Sequence, residues 1–350
     1  MTIQENIPLS EQSALRALAN PEGRYLPLEI LSIKPETAPD RGFDAEVTLG
    51  WRGRVVPFLA EIKARTAPKL VIEGIARLKK IVGKRDNVLL VVPFLSKTIV
   101  ELLEREGVSG LDLSGNYFIQ TPDMVAIRLD RGNQFPESQS IKKVFSGNSS
   151  LVGRLLLTEK RRFTSVNEVL FEIRRRGGSL SLSAVSKVLT ALDRDLIIEK
   201  SRQSISLLQP EKLLDRLAAE YRPPKLFGSK KLKLPPDKGG GLAEKPDLKG
   251  PFSGTPWVLT GESSASRYGI TSGTEVLSVY MPGMGDFAKF DDGRFYNVLV
   301  RQTADSFVYF DIQDERWASP VQCYLELAQL GKREQEIAGT IREAILSKLK

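Results

Sequence analysis

The chain has 350 residues, with 51 lysines and arginines, 43 aspartates and glutamates, one cysteine and no histidine. The missing histidine excludes Ser-His and Cys-His catalysis and histidine-bound zinc, so any metal site must use oxygen ligands. The single Cys323 excludes an internal disulfide, no apolar run approaches the ~18 residues of a membrane span, and the polar start predicts no signal peptide. We therefore expect a cytoplasmic protein of two or three domains that makes no membrane contact.

The first third of the chain predicts alternating strands and helices. Apolar and polar residues alternate from Phe43 to Leu49, and Arg52-Gly53 is a two-residue turn into a second strand. A continuous apolar run over residues 87–94 is typical of a strand that is buried on both faces. The predicted elements are a helix at 10–20, strands at 26–33, 43–49 and 55–63, a helix at 70–82, a strand at 87–94, a helix at 96–105 and a strand at 108–113.

The predicted hairpin brings two carboxylates together. If Arg52-Gly53 forms the turn, paired positions sum to 105, so Asp44 lies directly opposite Glu61. Lys63 shares the face of Glu61 because strand side chains alternate with a period of two. Opposed side chains are about 5 Å apart at Cβ, and Mg²⁺ binds through one or two carboxylates, while a neighbouring lysine can orient an attacking water. An ordinary solvated face of a sheet also accommodates the same three residues.

This order, with Asp44 on the second strand and Glu61-Ile62-Lys63 on the third, resembles the PD-(D/E)XK nuclease superfamily, the restriction-endonuclease-like fold, over about residues 1–130. The resemblance implies that Asp44 and Glu61 hold Mg²⁺ or Mn²⁺, that Lys63 is the catalytic lysine and that Glu11 adds an acid from the first helix. The predicted helix 70–82 lacks the glutamine that several nuclease subfamilies place there, so fold and activity are separate expectations. The alternative acids are Asp40 for the first carboxylate, and Glu22 or Glu29 for the helical one.

The middle of the chain is the most basic part, with a net charge of +5 over residues 149–222 and +4 over 223–250, which predicts a polyanionic partner. Helices at 151–157, 165–175 and about 183–196 precede short strands at 197–199 and 205–208. Three helices and a basic-tipped hairpin describe a winged helix-turn-helix, although a module that contacts only protein has the same outline. The candidate DNA-binding residues are Arg161, Arg162, Ser183, Ser186, Lys187, Thr190, Lys200 and Arg202.

Residues 223–254 contain Pro-Pro, Lys-Lys and Gly-Gly-Gly segments without periodicity, which predicts a basic linker or mobile arm. After this segment, strands are predicted at 257–260, 275–281, 295–301 and 306–310, and helices at 263–268, 320–330 and 332–349. The predicted domains are therefore 1–145, 149–222 and 255–350, with the linker at 223–254.

Together with the winged helix, the segment around Leu259-Thr260-Gly261 and the run over residues 318–327 are similar to AbiEi-type antitoxins and related transcriptional regulators. This resemblance implies a C-terminal α+β domain with a degenerate nucleotidyltransferase-like fold. An active enzyme of that fold needs Gly-Ser followed by paired aspartates on a strand, whereas Gly261 is followed by Glu262-Ser263 and residues 276–280 contain no acid. Asp291-Asp292 lies in a predicted turn. We expect contact with a partner or with DNA rather than nucleotidyl transfer.

Three functions follow for this α/β multidomain chain. The first is a sequence-selective, antitoxin-like DNA-binding regulator. The second is a DNA endonuclease that uses Asp44, Glu61 and Lys63 with Mg²⁺ or Mn²⁺. The third is an interaction protein that binds a toxin or another defence component through the acidic C-terminal domain, which carries a net charge of −3 over residues 251–350. A homodimer is expected of a winged-helix regulator that reads a palindrome.

Overall fold

A computed structural model of the chain describes residues 10–37, 41–81, 87–135, 144–236, 246–268, 276–283, 287–290, 294–314 and 316–349. These residues form ten α-helices and thirteen β-strands, in agreement with the predicted mixed α/β class. The chain divides into two compact units, one formed by Met1–Lys142 with Arg194–Leu196 and the other by Lys143–Asp193 with Ile197–Lys350. None of the helices in these described ranges is long and apolar enough to cross a membrane.

The first unit contains one seven-stranded sheet. In chain order and in spatial order its strands are β1 (Glu29–Pro35), β2 (Ala45–Trp51), β3 (Arg54–Ile62), β4 (Asn87–Val92), β5 (Ser109–Asp112), β6 (Tyr117–Gln120) and β7 (Val125–Arg128). The three central strands β3, β4 and β5 are parallel, and the outer pairs are antiparallel. Parallel strands end at the same edge of a sheet, so the carboxyl ends of β3, β4 and β5 lie side by side.

Helices cover both faces of this sheet. They are α1 (Glu11–Ala19) on one face and α2 (Pro68–Ile81) and α3 (Lys97–Glu106) on the other. In β4, Leu89 and Val91 belong to the core under α1, while Leu90 and Val92 belong to the core under α2 and α3. The continuous apolar run that predicts a doubly buried strand is thereby confirmed. The N-cap of α1 is Ser10, whose hydroxyl accepts a hydrogen bond from the Ser13 amide.

The predicted hairpin register is confirmed. Cα partners run from Ala45 opposite Ala60 to Trp51 opposite Arg54, and every pair sums to 105. Arg52 and Gly53 both have positive φ, at 49° and 79°, as a two-residue type I′ turn requires. Other details differ from prediction. β1 begins three residues later than predicted, because the Leu28 amide donates to the Tyr25 carbonyl and closes a turn there. The sequence analysis does not predict β6 and β7, because strands of four residues are too short to show a clear alternation of apolar and polar residues.

The predicted helices and hairpin of the middle segment are present. They are α4 (Ser150–Thr158), α5 (Val166–Arg175), α6 (Leu182–Arg194), β8 (Ile198–Lys200) and β9 (Ile205–Leu207). The hairpin is followed by α7 (Pro210–Ala219), which the sequence analysis does not predict. Leu213, Leu214 and Leu217 of α7 are fully buried, so this helix belongs to the same core as α4 to α6.

The prediction of a linker is wrong for part of 223–254. A four-stranded sheet contains, in spatial order, β10 (Gly228–Leu232), β13 (Val298–Gln302), β12 (Leu277–Met281) and β11 (Val258–Leu259). β10 pairs antiparallel with β13, and Leu232 and Leu234 are buried in the same core as Phe252. The lysine-rich composition that looks like a tether is also typical of an edge strand that resists further pairing.

The C-terminal helices are α8 (Gly261–Ser264), α9 (Pro320–Leu327) and α10 (Lys332–Ser347). The predicted strand at 306–310 is wrong, because Ser306–Tyr309 forms one 3₁₀ turn in which the neighbouring Phe307 and Val308 are both buried. Side chains of α4 to α7, α9 and α10 share one apolar core, so the segments predicted as domains 149–222 and 255–350 belong to one compact unit.

Candidate functional site

Asp44 lies immediately before β2, beside the carboxyl end of β3. Its amide donates to the Ala60 carbonyl over 2.8 Å, which extends the hairpin ladder by one residue. Its Oδ2 accepts a hydrogen bond from the Ile62 amide at 2.7 Å. The carboxylate is therefore fixed to the β3 backbone, next to Glu61, as the register predicts.

Glu61 and Lys63 form a close ion pair at the end of β3. The Lys63 ammonium lies 2.6 Å from Glu61 Oε1, and the Glu61 side chain is completely buried. The second oxygen, Oε2, is buried and has no hydrogen-bond partner within the described residues. Burial raises the pKa of the Glu61 carboxyl, and the nearby Asp44 charge raises it further, while the Lys63 hydrogen bond and the charges of Lys63 and Arg77 lower it. The structure thus brings the three predicted residues together.

Arg77, which the sequence analysis missed, completes this cluster from α2. Its Nη1 donates to Glu61 Oε1 at 3.1 Å and to Asp44 Oδ1 at 3.4 Å, so the guanidinium bridges the two carboxylates. One turn earlier, Gly74 lets α2 approach, because a Cβ there would lie 3.1 Å from Lys63 Cε and 3.2 Å from Glu61 Cγ. Gly74 inside a predicted helix indicates that the helix packs closely on its neighbour, but no sequence pattern identifies Arg77 as the side chain that reaches the carboxylates.

The other predicted acids do not join the cluster. No group of three or more aspartates, glutamates or cysteines close enough to hold a metal exists among the residues the structure describes. Glu11 therefore does not complete a three-carboxylate set with Asp44 and Glu61, nor do Glu22 and Glu29. The rival Asp40 lies outside the described residues.

Asp44 and Glu61 nevertheless fit one divalent cation. Leaving a buried carboxylate oxygen without a partner costs free energy, and Glu61 Oε2 is such an atom within the described part of the chain. Mg²⁺ commonly binds through one or two carboxylates and completes its octahedron with water or phosphate oxygens. The pair of Asp44 and Glu61 supplies that minimum donor set, and we call these two residues with Lys63 and Arg77 the carboxylate site.

A second candidate site lies in the second unit, between the ends of two helices and the β8–β9 hairpin. This cleft has a volume of about 540 Å³. Ser165, the N-cap of α5, lies at one wall with its hydroxyl bonded to the Glu168 amide. The lining residues are Thr164, Ser165, Val166, Asn167, Leu182, Ser183, Ser186, Lys200, Ser201, Arg202 and Ile205. We call it the helix–hairpin cleft.

Half of the predicted DNA-binding residues line the helix–hairpin cleft, namely Ser183, Ser186, Lys200 and Arg202. Thr190 lies behind them, where its hydroxyl accepts from Lys200 Nζ at 3.3 Å and donates to the Ser186 carbonyl. Lys187 is exposed on the same helix. Sequence reasoning identified Ser165 only as a cap and missed Thr164 and Asn167 as cleft residues, although a polar N-terminal turn is a common anion contact.

Arg161 and Arg162 differ in their surroundings. Arg162 is exposed. Arg161 contacts the carboxylates of Glu159, Glu168 and Glu172, and its guanidinium stacks on the Phe163 ring. Because three acids already compensate its charge, Arg161 has less positive charge to offer a phosphate than sequence alone predicts.

In the segment expected to resemble a nucleotidyltransferase site, the Gly261 amide is hydrogen-bonded to a carboxylate of the protein itself. Glu326 Oε2 accepts a hydrogen bond from the Gly261 amide at 2.7 Å, and burial raises the pKa of Glu326. Strand β12 carries no acid, and Asp291-Asp292 lies outside the described residues.

Comparison with known proteins reveals no similarity that bears on these two sites. No family model matches the chain, and neither the curated proteins nor the solved structures contain a significant match. The resemblances to nucleases and to antitoxin-like regulators stay predictions.

Proposed function

We propose that this protein binds duplex DNA through a winged helix-turn-helix formed by α4 to α6 and the β8–β9 hairpin, as a regulator of the antitoxin-like class. The observation that carries the proposal is the helix–hairpin cleft, where hydroxyl groups of Ser183 and Ser186 and the cations of Lys200 and Arg202 line one concave surface.

The chemistry of this cleft suits a phosphate backbone next to base edges. Serine hydroxyls and lysine or arginine side chains provide a large share of the hydrogen bonds that proteins make to DNA phosphates. The first two turns of α6 present Ser183 and Ser186, and early residues of a recognition helix are those that reach base edges. Lys200 and Arg202 belong to the hairpin end, from which they would contact the adjacent backbone.

The test uses fluorescence anisotropy to measure the binding of the full chain to a mixed-sequence duplex at a series of salt concentrations. We expect the logarithm of the binding constant to fall linearly with the logarithm of the salt concentration, with a slope of about −0.9 for each phosphate neutralised. Binding that is absent at low salt, or that does not change with salt, would contradict the proposal.

A second candidate function is metal-dependent cleavage of the DNA phosphodiester bond at the carboxylate site. The observation that favours it is Glu61 Oε2, a buried carboxylate oxygen with no partner in the described part of the chain. Asp44 and Glu61 would hold Mg²⁺ or Mn²⁺, which when bound supplies positive charge to the phosphate and lowers the pKa of a coordinated water.

The protein's own residues would position the two carboxylates and the attacking water. The Ile62 amide holds the Asp44 carboxylate in place, and Glu61 is held rigidly by its burial at the end of β3. Lys63 carries its ammonium beside Glu61, where a hydrogen bond to the attacking water would orient it.

Cleavage is tested with supercoiled plasmid and Mg²⁺ or Mn²⁺. We expect the wild type to nick the plasmid, and Asp44→Ala and Lys63→Ala to lower the rate by about 100-fold or more, since the first removes a metal ligand and the second a group positioned beside the attacking water. Glu46→Ala removes an exposed carboxylate two residues from Asp44 and is the matched control that keeps activity. Intact plasmid with both metals, under conditions where the protein binds it, would rule out this function.

A further inference from the structure

Two cations already neutralise the carboxylate site. Lys63 Nζ lies 2.6 Å from Glu61 Oε1, and Arg77 Nη1 lies 3.1 Å from the same atom and 3.4 Å from Asp44 Oδ1. The four side chains therefore sum to zero net charge. A divalent ion added to this arrangement would leave two uncompensated positive charges in a partly buried place, which is unfavourable.

The two cations differ in how easily they can leave. The Lys63 side chain is 17% exposed and lies under α2, where Gly74 faces its Cε atom. The Arg77 side chain is 42% exposed and projects from the surface of α2. A long, half-exposed side chain can turn its guanidinium into water more readily than the enclosed Lys63 ammonium can, because part of its charge is already solvated.

We propose that Arg77 is the resident counter-ion of the carboxylate site, and that a divalent metal ion binds Asp44 and Glu61 only by displacing the Arg77 guanidinium. This inference rests on the second candidate function, since it takes the two carboxylates as the metal ligands. It adds a regulatory element, because the affinity for metal is set by competition with a side chain of the same unit.

Removal of Arg77 then has two linked consequences. The Arg77→Ala protein binds Mn²⁺ about 10-fold more tightly than the wild type, because no guanidinium must be displaced; that factor corresponds to about 1.4 kcal/mol. Without metal the same variant melts at a lower temperature than the wild type, because Asp44 and Glu61 then repel each other. Addition of Mn²⁺ raises the melting temperature of the variant by more than it raises that of the wild type.

The experiment titrates Mn²⁺ into the full-length wild type and variants, with free Mn²⁺ measured by electron paramagnetic resonance and melting temperature followed in parallel. Arg77→Gln is the second variant, which keeps a hydrogen-bond donor but no charge, and we expect it to bind Mn²⁺ as tightly as Arg77→Ala. Lys80→Ala is the matched control, because it removes an exposed cation from the same helix, and its Mn²⁺ affinity stays at the wild-type value. Glu61→Gln abolishes binding in the Arg77→Ala background.

The outcomes separate the inference from the function on which it rests. Equal Mn²⁺ affinity in the wild type, Arg77→Ala and Arg77→Gln would overturn the role of Arg77 and leave the metal site standing. Absence of Mn²⁺ binding in every folded variant would overturn both the metal site and the second candidate function. Tighter binding in Lys80→Ala as well would show that net charge, rather than displacement of Arg77, sets the affinity.

Discussion

Replacement of Asp112 by alanine is expected to lower the free energy of unfolding of the seven-stranded unit by about 3 kcal/mol, since it leaves buried donors without acceptors. Asp112 is the last residue of β5 and is completely buried. Its Oδ2 accepts from the Leu95 amide at 2.9 Å and from Asn116 Nδ2 at 2.8 Å, and its Oδ1 accepts from the Asn116 amide at 2.8 Å.

The magnitude follows from what alanine leaves behind. Each unsatisfied buried N–H group costs about 1–3 kcal/mol, and three hydrogen bonds would be lost, although Asn116 Nδ2 keeps its other bond to the Arg131 carbonyl. Burial raises the pKa of the Asp112 carboxyl in spite of these donors, so part of the loss is offset by removal of an incompletely compensated charge. We therefore expect a net loss of unfolding free energy of about 3 kcal/mol, which is the upper cost of one unsatisfied donor, rather than the sum of three such costs.

Urea unfolding followed by tryptophan fluorescence measures this loss, because Trp51 lies in the same sheet. Asp123→Ala, which removes an exposed carboxylate near β7, is the control and should change stability by less than about 0.5 kcal/mol. Asp112→Asn keeps one acceptor oxygen and should fall between the two. A loss in Asp112→Ala no larger than that of the control would mean that water replaces the carboxylate at these donors.

The carboxylate pair could be predicted from the sequence because hairpin pairing is local. A two-residue turn at Arg52-Gly53 fixes which residues are opposite, and a slip by one residue would turn Val47 and Phe58 out of the core. The positions of Asp44, Glu61 and Lys63 thus follow from periodicity and turn geometry alone. The same reasoning applies to the apolar face of α6, whose spacing is also local.

Arg77, Asp112 and Glu326 could not be predicted in the same way, because their roles depend on contacts between segments distant in sequence. Arg77 reaches the carboxylates only because Gly74 brings α2 close to β3. Glu326 meets Gly261 across 65 residues, and no local pattern specifies such a pair. The sequence does not predict the edge strand β10 for a related reason. Its lysine-rich composition is not typical of a strand, and its pairing with β13 forms only in the tertiary structure.

Charge reversal at the hairpin is expected to have the largest effect on DNA binding. The combined Lys200→Glu and Arg202→Glu substitution should weaken duplex binding on the order of 100-fold at low salt. It should also reduce the steepness of the salt dependence by about 2, because two DNA phosphates are no longer neutralised by the protein. Both side chains line the helix–hairpin cleft, so the reversal places two negative charges where the proposal places the DNA backbone.

A matched control separates this local effect from a change in total charge. Lys332→Glu with Arg333→Glu alters the net charge by the same amount at the exposed start of α10, which does not line the helix–hairpin cleft. Anisotropy titrations between about 50 and 200 mM salt should show a small, uniform loss for this control and a change of slope for the hairpin variant alone. If both variants lose affinity equally and keep the same slope, DNA binds elsewhere on the protein, and the cleft is not the surface that holds the backbone.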